Sequence, residues 1–238
     1  MSGLLEVVVL HAADAERAEA GGADRVSLVG NVEQEGRSPE PALVGQVRRS
    51  TSLPLRVLLR LREGYGTDGG EVARLRGLVS SYRAVGADGV VLGFLNAHTE
   101  VDPAVVTEIL GPEPGFGWTF DRAVDACIST DRAWRELRRL TGPGGLDQVL
   151  TAGSPRGVAE GLDELVARAR ADEVARRLIM AGGDLLPEHV PWLVRAGVRA
   201  FQIGSAARPL GSAKAYLDPD LVRTWRTLID DAVGRAET

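Results

Sequence analysis

The sequence predicts an α/β protein built as a closed (β/α)8 barrel of the TIM type. Three observations carry that expectation. Eight short apolar runs alternate with longer stretches rich in Ala, Arg, Glu and Leu. The runs are nearly continuous in apolar residues, which implies burial on both faces and hence a parallel sheet. The helix-to-strand joints AGGADRVSLV, AVGADGVVLG and RAGVRAFQIG share one punctuation, in which Ala-Gly or Val-Gly closes a helix before a strand begins. Glycine there supplies a left-handed cap at low cost. Eight such units in 238 residues, with no break in composition, suit one barrel domain over 1–238. A doubly wound open sheet is the competing arrangement, and the regular repeats favour the barrel.

The elements follow in order. LLEVVVL (4–10) reads as a first buried strand before a helix at 12–21. RVSLV (25–29) leads to a helix at 40–50, LRVLLR (55–60) to 70–86, and DGVVLG (88–93) to 103–110. GFGWTF (115–120) leads to 131–141, LDQVLTA (146–152) to 155–172, RLIMA (177–181) to 187–196, and AFQIG (200–204) to a last helix at 218–235. Pro103, Pro155, Pro187 and Pro219 stand at or near helix starts, where a missing N–H costs nothing. Trp134, Trp192 and Trp225 fall in helices and read as packing on the barrel exterior.

Composition narrows the function classes. The chain is 44% hydrophobic and 26% charged, ordinary for a globular protein. Its formal charge is -5 and no basic stripe stands out, so no nucleic-acid partner is expected. RAWRELRRL (132–140) reads as the solvated face of one helix. The one cysteine, Cys127, permits no intramolecular disulfide and fits a reducing compartment. The N-terminus lacks a basic region before its short apolar run, and no run approaches the roughly 20 residues that span a bilayer. A cytoplasmic protein without a membrane partner is the expectation.

In such barrels, sites form at the C-terminal strand ends. Strands seven and eight end in MAGGD (180–184) and IGSAAR (203–208), so Gly182, Gly183, Gly204 and Ser205 offer backbone N–H groups to a phosphate or another anion. Tight turns that need glycine are the plainer account of the same residues. Arg208 adds charge there or sits on the surface. Glu6 lies inside the first apolar strand, where a carboxylate needs a partner. Arg60 and Arg62 close strand three, Asp121, Arg122 and Asp125 follow strand five, and Thr151 closes strand six. A barrel gathers these ends at one mouth, as a site or as an internal ion-pair network. Alternation along strand five puts Asp121 inside if Thr119 points inside, with Phe120 against the helices. His11, His98 and His189 are far apart and show no metal-ligand spacing. Cys127 and Met180 are single soft donors, the type that copper(I) prefers. No phosphate-binding P-loop, no strand-coupled GxGxxG and no Ser/His/Asp triad is visible.

Taken together, the segments LLEVVV, GGADRVSL (21–28), EGRSP (35–39), LRLR (59–62), GADGVVLGFL (86–95), TFDRAVD (119–125), VLTAG (149–153) and IMAGG (179–183) resemble the CutC family. The resemblance runs from about residue 4 to residue 208. It implies a (β/α)8 barrel that self-associates, and a link to copper homeostasis and copper binding. Glu6, Arg60, Arg122, Asp125, Thr151 and Gly153 match positions typical of the family. The chain also departs from the family pattern. Where the family pattern has Val-Glu-Leu-Cys, this chain has Val26-Ser27-Leu28-Val29. Asp121 and Gln202 stand where the family usually places histidines, Val124 stands for a phenylalanine, and the family's Ile-Arg-Pro-Arg is Leu59-Arg60-Leu61-Arg62 with a shortened loop after it.

Three functions are consistent with these residues. One is a copper-handling barrel, with Cys127 and Met180 as the candidate ligands. Another is an isomerase or lyase acting on a small anionic or phosphorylated substrate. There the glycine loops hold the anion, Arg60 and Arg122 orient a second polar group, and Glu6 or Asp121 moves a proton. The last is a non-catalytic barrel that binds a ligand or a partner protein. By resemblance, a homo-oligomer is expected.

Overall fold

The strands close on themselves in chain order, β1 through β8, in a computed structural model that describes residues 3–30, 36–142 and 145–237. The strands are β1 (Leu4–Val9), β2 (Arg25–Leu28), β3 (Leu55–Leu58), β4 (Gly89–Leu92), β5 (Trp118–Phe120), β6 (Leu146–Thr151), β7 (Ile179–Ala181) and β8 (Ala200–Ile203). All neighbours are parallel, and β1 closes the ring against β8 with Glu6 opposite Gln202. The (β/α)8 barrel expected from the sequence is therefore the observed fold.

The helices are α1 (Ala12–Ala20), α2 (Pro41–Ser50), α3 (Gly69–Ala84), α4 (Pro103–Leu110), α5 (Thr130–Arg139), α6 (Val158–Ala171), α7 (Glu173–Leu178), α8 (Val190–Arg195) and α9 (Pro219–Ala236). Pro103 and Pro219 open α4 and α9 as expected, and Pro187 opens a 3-10 turn before α8. Pro155 instead lies in the loop before α6. The one helix expected over 155–172 is followed by a second, because Asp172 accepts from the N–H groups of Val174 and Ala175 and starts α7 afresh. Arg177 and Leu178 consequently end α7 rather than begin strand seven. Glu35 of the EGRSP segment lies outside the described residues. No helix of the described residues is long and apolar enough to cross a membrane.

Alternation along the strands sorts the side chains into two zones. The outward set, including Leu5, Val7, Leu28, Leu55, Phe120 and Phe201, joins the helices in one apolar layer. Trp134 and Trp225 are buried there, whereas Trp192 is 53% exposed beneath the guanidinium of Arg195. Inside the barrel the apolar filling is small, a separate cluster of Leu150, Met180 and Ala200 with Leu4 against it. Val8, Leu58 and Val91 add apolar lining toward the mouth, and the rest of the interior holds ion pairs. Arg25 pairs with Glu6 through Nε, and Glu6 also accepts from Nε2 of Gln202 at 2.7 Å. Arg56 is buried and donates to Thr119 and, through Nη1, to the exposed Asp147 at 2.7 Å. Buried charges persist only when paired and hydrogen-bonded, so these groups fix one another's positions.

Candidate functional site

At the C-terminal ends of the strands a cavity of about 640 Å³ opens into the barrel. Ser27, Arg60, Asp121, Arg122 and Gln202 supply its polar wall, and Val29, Leu58 and Val91 are among its apolar lining. A second cavity of about 190 Å³ lies between the loops after β7 and β8, lined by Gly183, Asp184, Gly204 and Ser205. Val8 and Gln202 line both, so the two adjoin.

The stretch after β5 builds the centre of this mouth. Thr119 and Asp121 face inward and Phe120 packs against the helices, as the alternation requires. Asp121 is 3% exposed. Its Oδ2 accepts from Nη2 of Arg60 at 2.5 Å, and its Oδ1 accepts from the N–H of Ala123 at 2.9 Å, capping a 3-10 turn over Arg122–Ala126. Asp121 is thus a helix cap and a wall of the cavity at once. Gly93 makes room for it, because a Cβ at residue 93 would collide with its carboxylate.

Arg122 is held from three directions. Its Nε donates to Asp125 at 2.9 Å, and its Nη2 donates to the carbonyls of Ser154 and Pro155 at 3.0 and 3.1 Å. It also lies across Gly183, whose φ of +90° and bare Cα leave it space; a Cβ there would sit 2.6 Å from Nη1. Asp125 does not line the cavity. It accepts from Thr151 at 2.6 Å and from the N–H of Ala152 at 2.9 Å, tying the mouth of β5 to β6. Burial pushes its carboxyl above the usual range, and the bonds from Thr151, Ala152 and Arg122 oppose that rise only in part.

Glu6 is fully buried one layer below the mouth, closed off by Arg25 and Gln202. Arg62 turns away to Asp68 and to Glu71, 2.8 Å from its carboxylate. Arg208 neither adds charge to the mouth nor sits on the surface. It is 4% exposed and bonds Asp14 at 2.6 Å, a buried pair behind the β8 loop. Gly182 is packed between Leu150 and Gln202 and donates to the Thr151 carbonyl.

Ser27, Tyr65 and Gln202 of the mouth were not singled out as site residues from the sequence. Ser27 is buried on the inner face of β2. Tyr65 comes from the loop after β3 and stacks its ring 4.9 Å from the Arg60 guanidinium. Its hydroxyl is pushed up to about 12, first by burial and then by the charge of Asp121, so it is a proton donor at neutral pH. The Gly64-Tyr65-Gly66 triplet was the available signal, an aromatic held between two flexible residues.

The soft donors are not brought together. Met180 lies inside the barrel with its sulfur 3.4 Å from Nη2 of Arg25, a cation where a metal would compete. Cys127 packs against the outer layer, its Sγ 3.5 Å from the Ala123 carbonyl, and burial pushes its thiol up to about 11. That disfavours the thiolate, the form that binds metal. Among the described residues no group of three His, Cys, Asp or Glu could hold a metal ion. Copper(I) therefore does not fit the donors present.

Comparison with known proteins agrees with the sequence resemblance. The CutC family model matches residues 3–206. A CutC family protein of Xanthomonas axonopodis pv. citri is 34% identical over 88% of this chain and 85% of its own length. One of Caulobacter vibrioides is 30% identical over 97% of this chain and 95% of its own. The crystal structure named for the copper homeostasis protein CutC of Streptococcus agalactiae superposes with a TM-score of 0.74 at 20% identity, covering 85% of this chain and 98% of that one.

Proposed function

This chain belongs to the CutC family, and from that premise we propose that its barrel mouth is a rebuilt family site that binds a small phosphorylated or carboxylated ligand. One observation carries the proposal. Ser27, Val29, Asp121 and Gln202, which replace the family's Glu, Cys and two His, all line the same cavity of about 640 Å³. These four meet at the place where barrels do chemistry.

The roles follow from the geometry. The glycine loops after β7 and β8 line the adjoining smaller cavity and take the anionic group. Arg122, fixed by Asp125 and two carbonyls, offers a rigid guanidinium for a second polar group. Tyr65 donates a hydrogen bond. Asp121 is the one carboxylate among the described residues lining the cavity, so it is the group that takes a proton from the ligand. An isomerase or lyase is the reaction class to assay. Glu6, below the floor, fixes Gln202 instead of touching the ligand.

Copper enters through the name of the streptococcal relative. The residues here support an organic ligand better, since Val29 stands at the family's thiol position and is part of the wall.

Thermal shift against a panel of phosphorylated and carboxylated metabolites tests the reading, followed by calorimetry on the hits. A hit should bind the wild type, and Arg122→Met should weaken it by about tenfold or more, the worth of a charge-assisted hydrogen bond. Asp121→Asn should preserve binding and abolish turnover. A hit bound equally well by Arg122→Met and by Asp121→Asn, with turnover intact, sinks the proposal.

A further inference from the structure

The opposite end of the barrel holds an independent feature. Among the N-terminal strand ends lies a cavity of about 400 Å³. Arg25, Arg176, Arg177 and Arg199 line it, against one carboxylate, Asp147. That carboxylate is already bonded by both Nη atoms of Arg56. Arg25 is matched by Glu6. Arg177 reaches Glu173 only at 3.7 Å on an exposed helix face. Arg199 donates to the carbonyls of Val194 and Val198, and among the described residues neither it nor Arg176 has a carboxylate partner.

Unmatched guanidinium groups around one cavity repel one another. Arg176 and Arg177 stand in the last turn of α7, where the helix dipole favours cations. That explains two of the four and explains neither Arg199 nor the space between them. Arg176 is moreover held in place. Its stem lies across Gly197, at φ +94°, where a Cβ would collide with its Cδ. The wall also contains an orphan acceptor. Gln148 donates through Nε2 to the Asp147 carbonyl, and its Oε1 is buried with no partner. A buried acceptor without a donor costs free energy until something supplies one.

We propose that this end of the barrel is a second binding site, for a small phosphate ester that carries hydroxyl groups. The phosphate is neutralised by Arg176, Arg177 and Arg199, and a hydroxyl satisfies Gln148 once its amide oxygen, closed to solvent as it stands, turns into the cavity that the residue lines. The inference stands apart from the reading of the mouth.

Calorimetric titration of the full chain with sn-glycerol 3-phosphate and with inorganic phosphate, at low chloride, tests it. The ester should bind more tightly than inorganic phosphate. Arg176→Met keeps the stem over Gly197 and should weaken both by about tenfold. Arg177→Met, on an exposed position that tolerates change, should weaken both in the same sense. Gln148→Leu should leave inorganic phosphate unchanged and erase the preference for the ester. Absence of binding by either probe overturns the proposal, as do arginine variants that bind like the wild type. A titration abolished by Arg122→Met and untouched by Arg176→Met belongs to the mouth; it overturns this site and supports the other.

Discussion

At the scale of single residues, Asp121 joins two duties that usually fall to different side chains. It caps a turn through one oxygen and holds Arg60 through the other. Removing it takes a carboxylate from the largely buried Arg60 and uncaps the turn over Arg122–Ala126. Asp121→Ala should therefore destabilise the barrel by about 1–3 kcal/mol, the usual cost of a lost cap and a lost charge-assisted hydrogen bond. Asp121→Asn keeps a capping oxygen and should lose less. Urea unfolding of both variants decides this, and an Ala variant as stable as wild type would mean that neither the cap nor the pair with Arg60 supports the barrel. Asp125 gives a pH-dependent case. Its folded pKa is raised above the unfolded value, so its contribution to stability is full below the unfolded pKa of about 3.9 and is lost as pH rises through the folded value. Acid weakens the other ion pairs in wild type and Asp125→Asn alike. The difference in Tm between the two should thus shift toward wild type as pH falls from neutral toward about 4. A difference that is flat with pH would contradict the raised pKa. The residues of the mouth were partly legible in the sequence. Strand alternation alone placed Thr119, Phe120 and Asp121. Arg25 was not legible, because an arginine at a strand start looks like a surface residue until Glu6 is seen beside it.

At the scale of elements, glycine sets how closely a helix approaches the sheet. Gly161 in α6 lies against the loop that leaves β6. A Cβ there would sit 2.5 Å from the carbonyl carbon of Gly153 and closer still to the Ala152 oxygen. Replacing a helical glycine with alanine ordinarily gains about 0.5–1 kcal/mol. Both clashing atoms are backbone and cannot swing aside, so here the sign should reverse: Gly161→Ala should lower Tm. An unchanged or raised Tm would show that α6 moves without penalty. Gly93→Ala tests the same principle within the site. It adds no charge, yet it must displace the Asp121 carboxylate, so it should weaken ligand binding at the mouth while calorimetry still finds a folded protein. Most elements were readable from apolar runs and Ala-Gly joints. The seventh unit was not. Leu178 and Ile179 form one apolar run whose period does not separate helix end from strand start. The resolving signal was Asp172, a helix cap in the middle of what looked like a single helix.

At the scale of the molecule, the closed ring sorts every side chain to one side of the sheet or the other. The eight repeats made that ring legible in the sequence. The chemistry of its interior was not, since pairs such as Glu6 with Arg25 and Arg56 with Asp147 join residues far apart in the chain, and no local pattern announces them. Barrel closure also separates the two soft donors. Met180 faces the interior against Arg25, and Cys127 packs in the layer outside. They cannot share a metal ion while the ring is intact. Anaerobic titration of copper(I) against a chromophoric chelator should therefore show no stoichiometric uptake by the folded chain. Cys127→Ser should give the same curve as wild type. Uptake at a fixed ratio per chain, lost in Cys127→Ser, would instead require a second copy to bring the missing donor. Sedimentation equilibrium of the same samples decides that alternative, because such a site exists only in an oligomer held together by the metal. Uptake by a monomer would contradict the sorting itself.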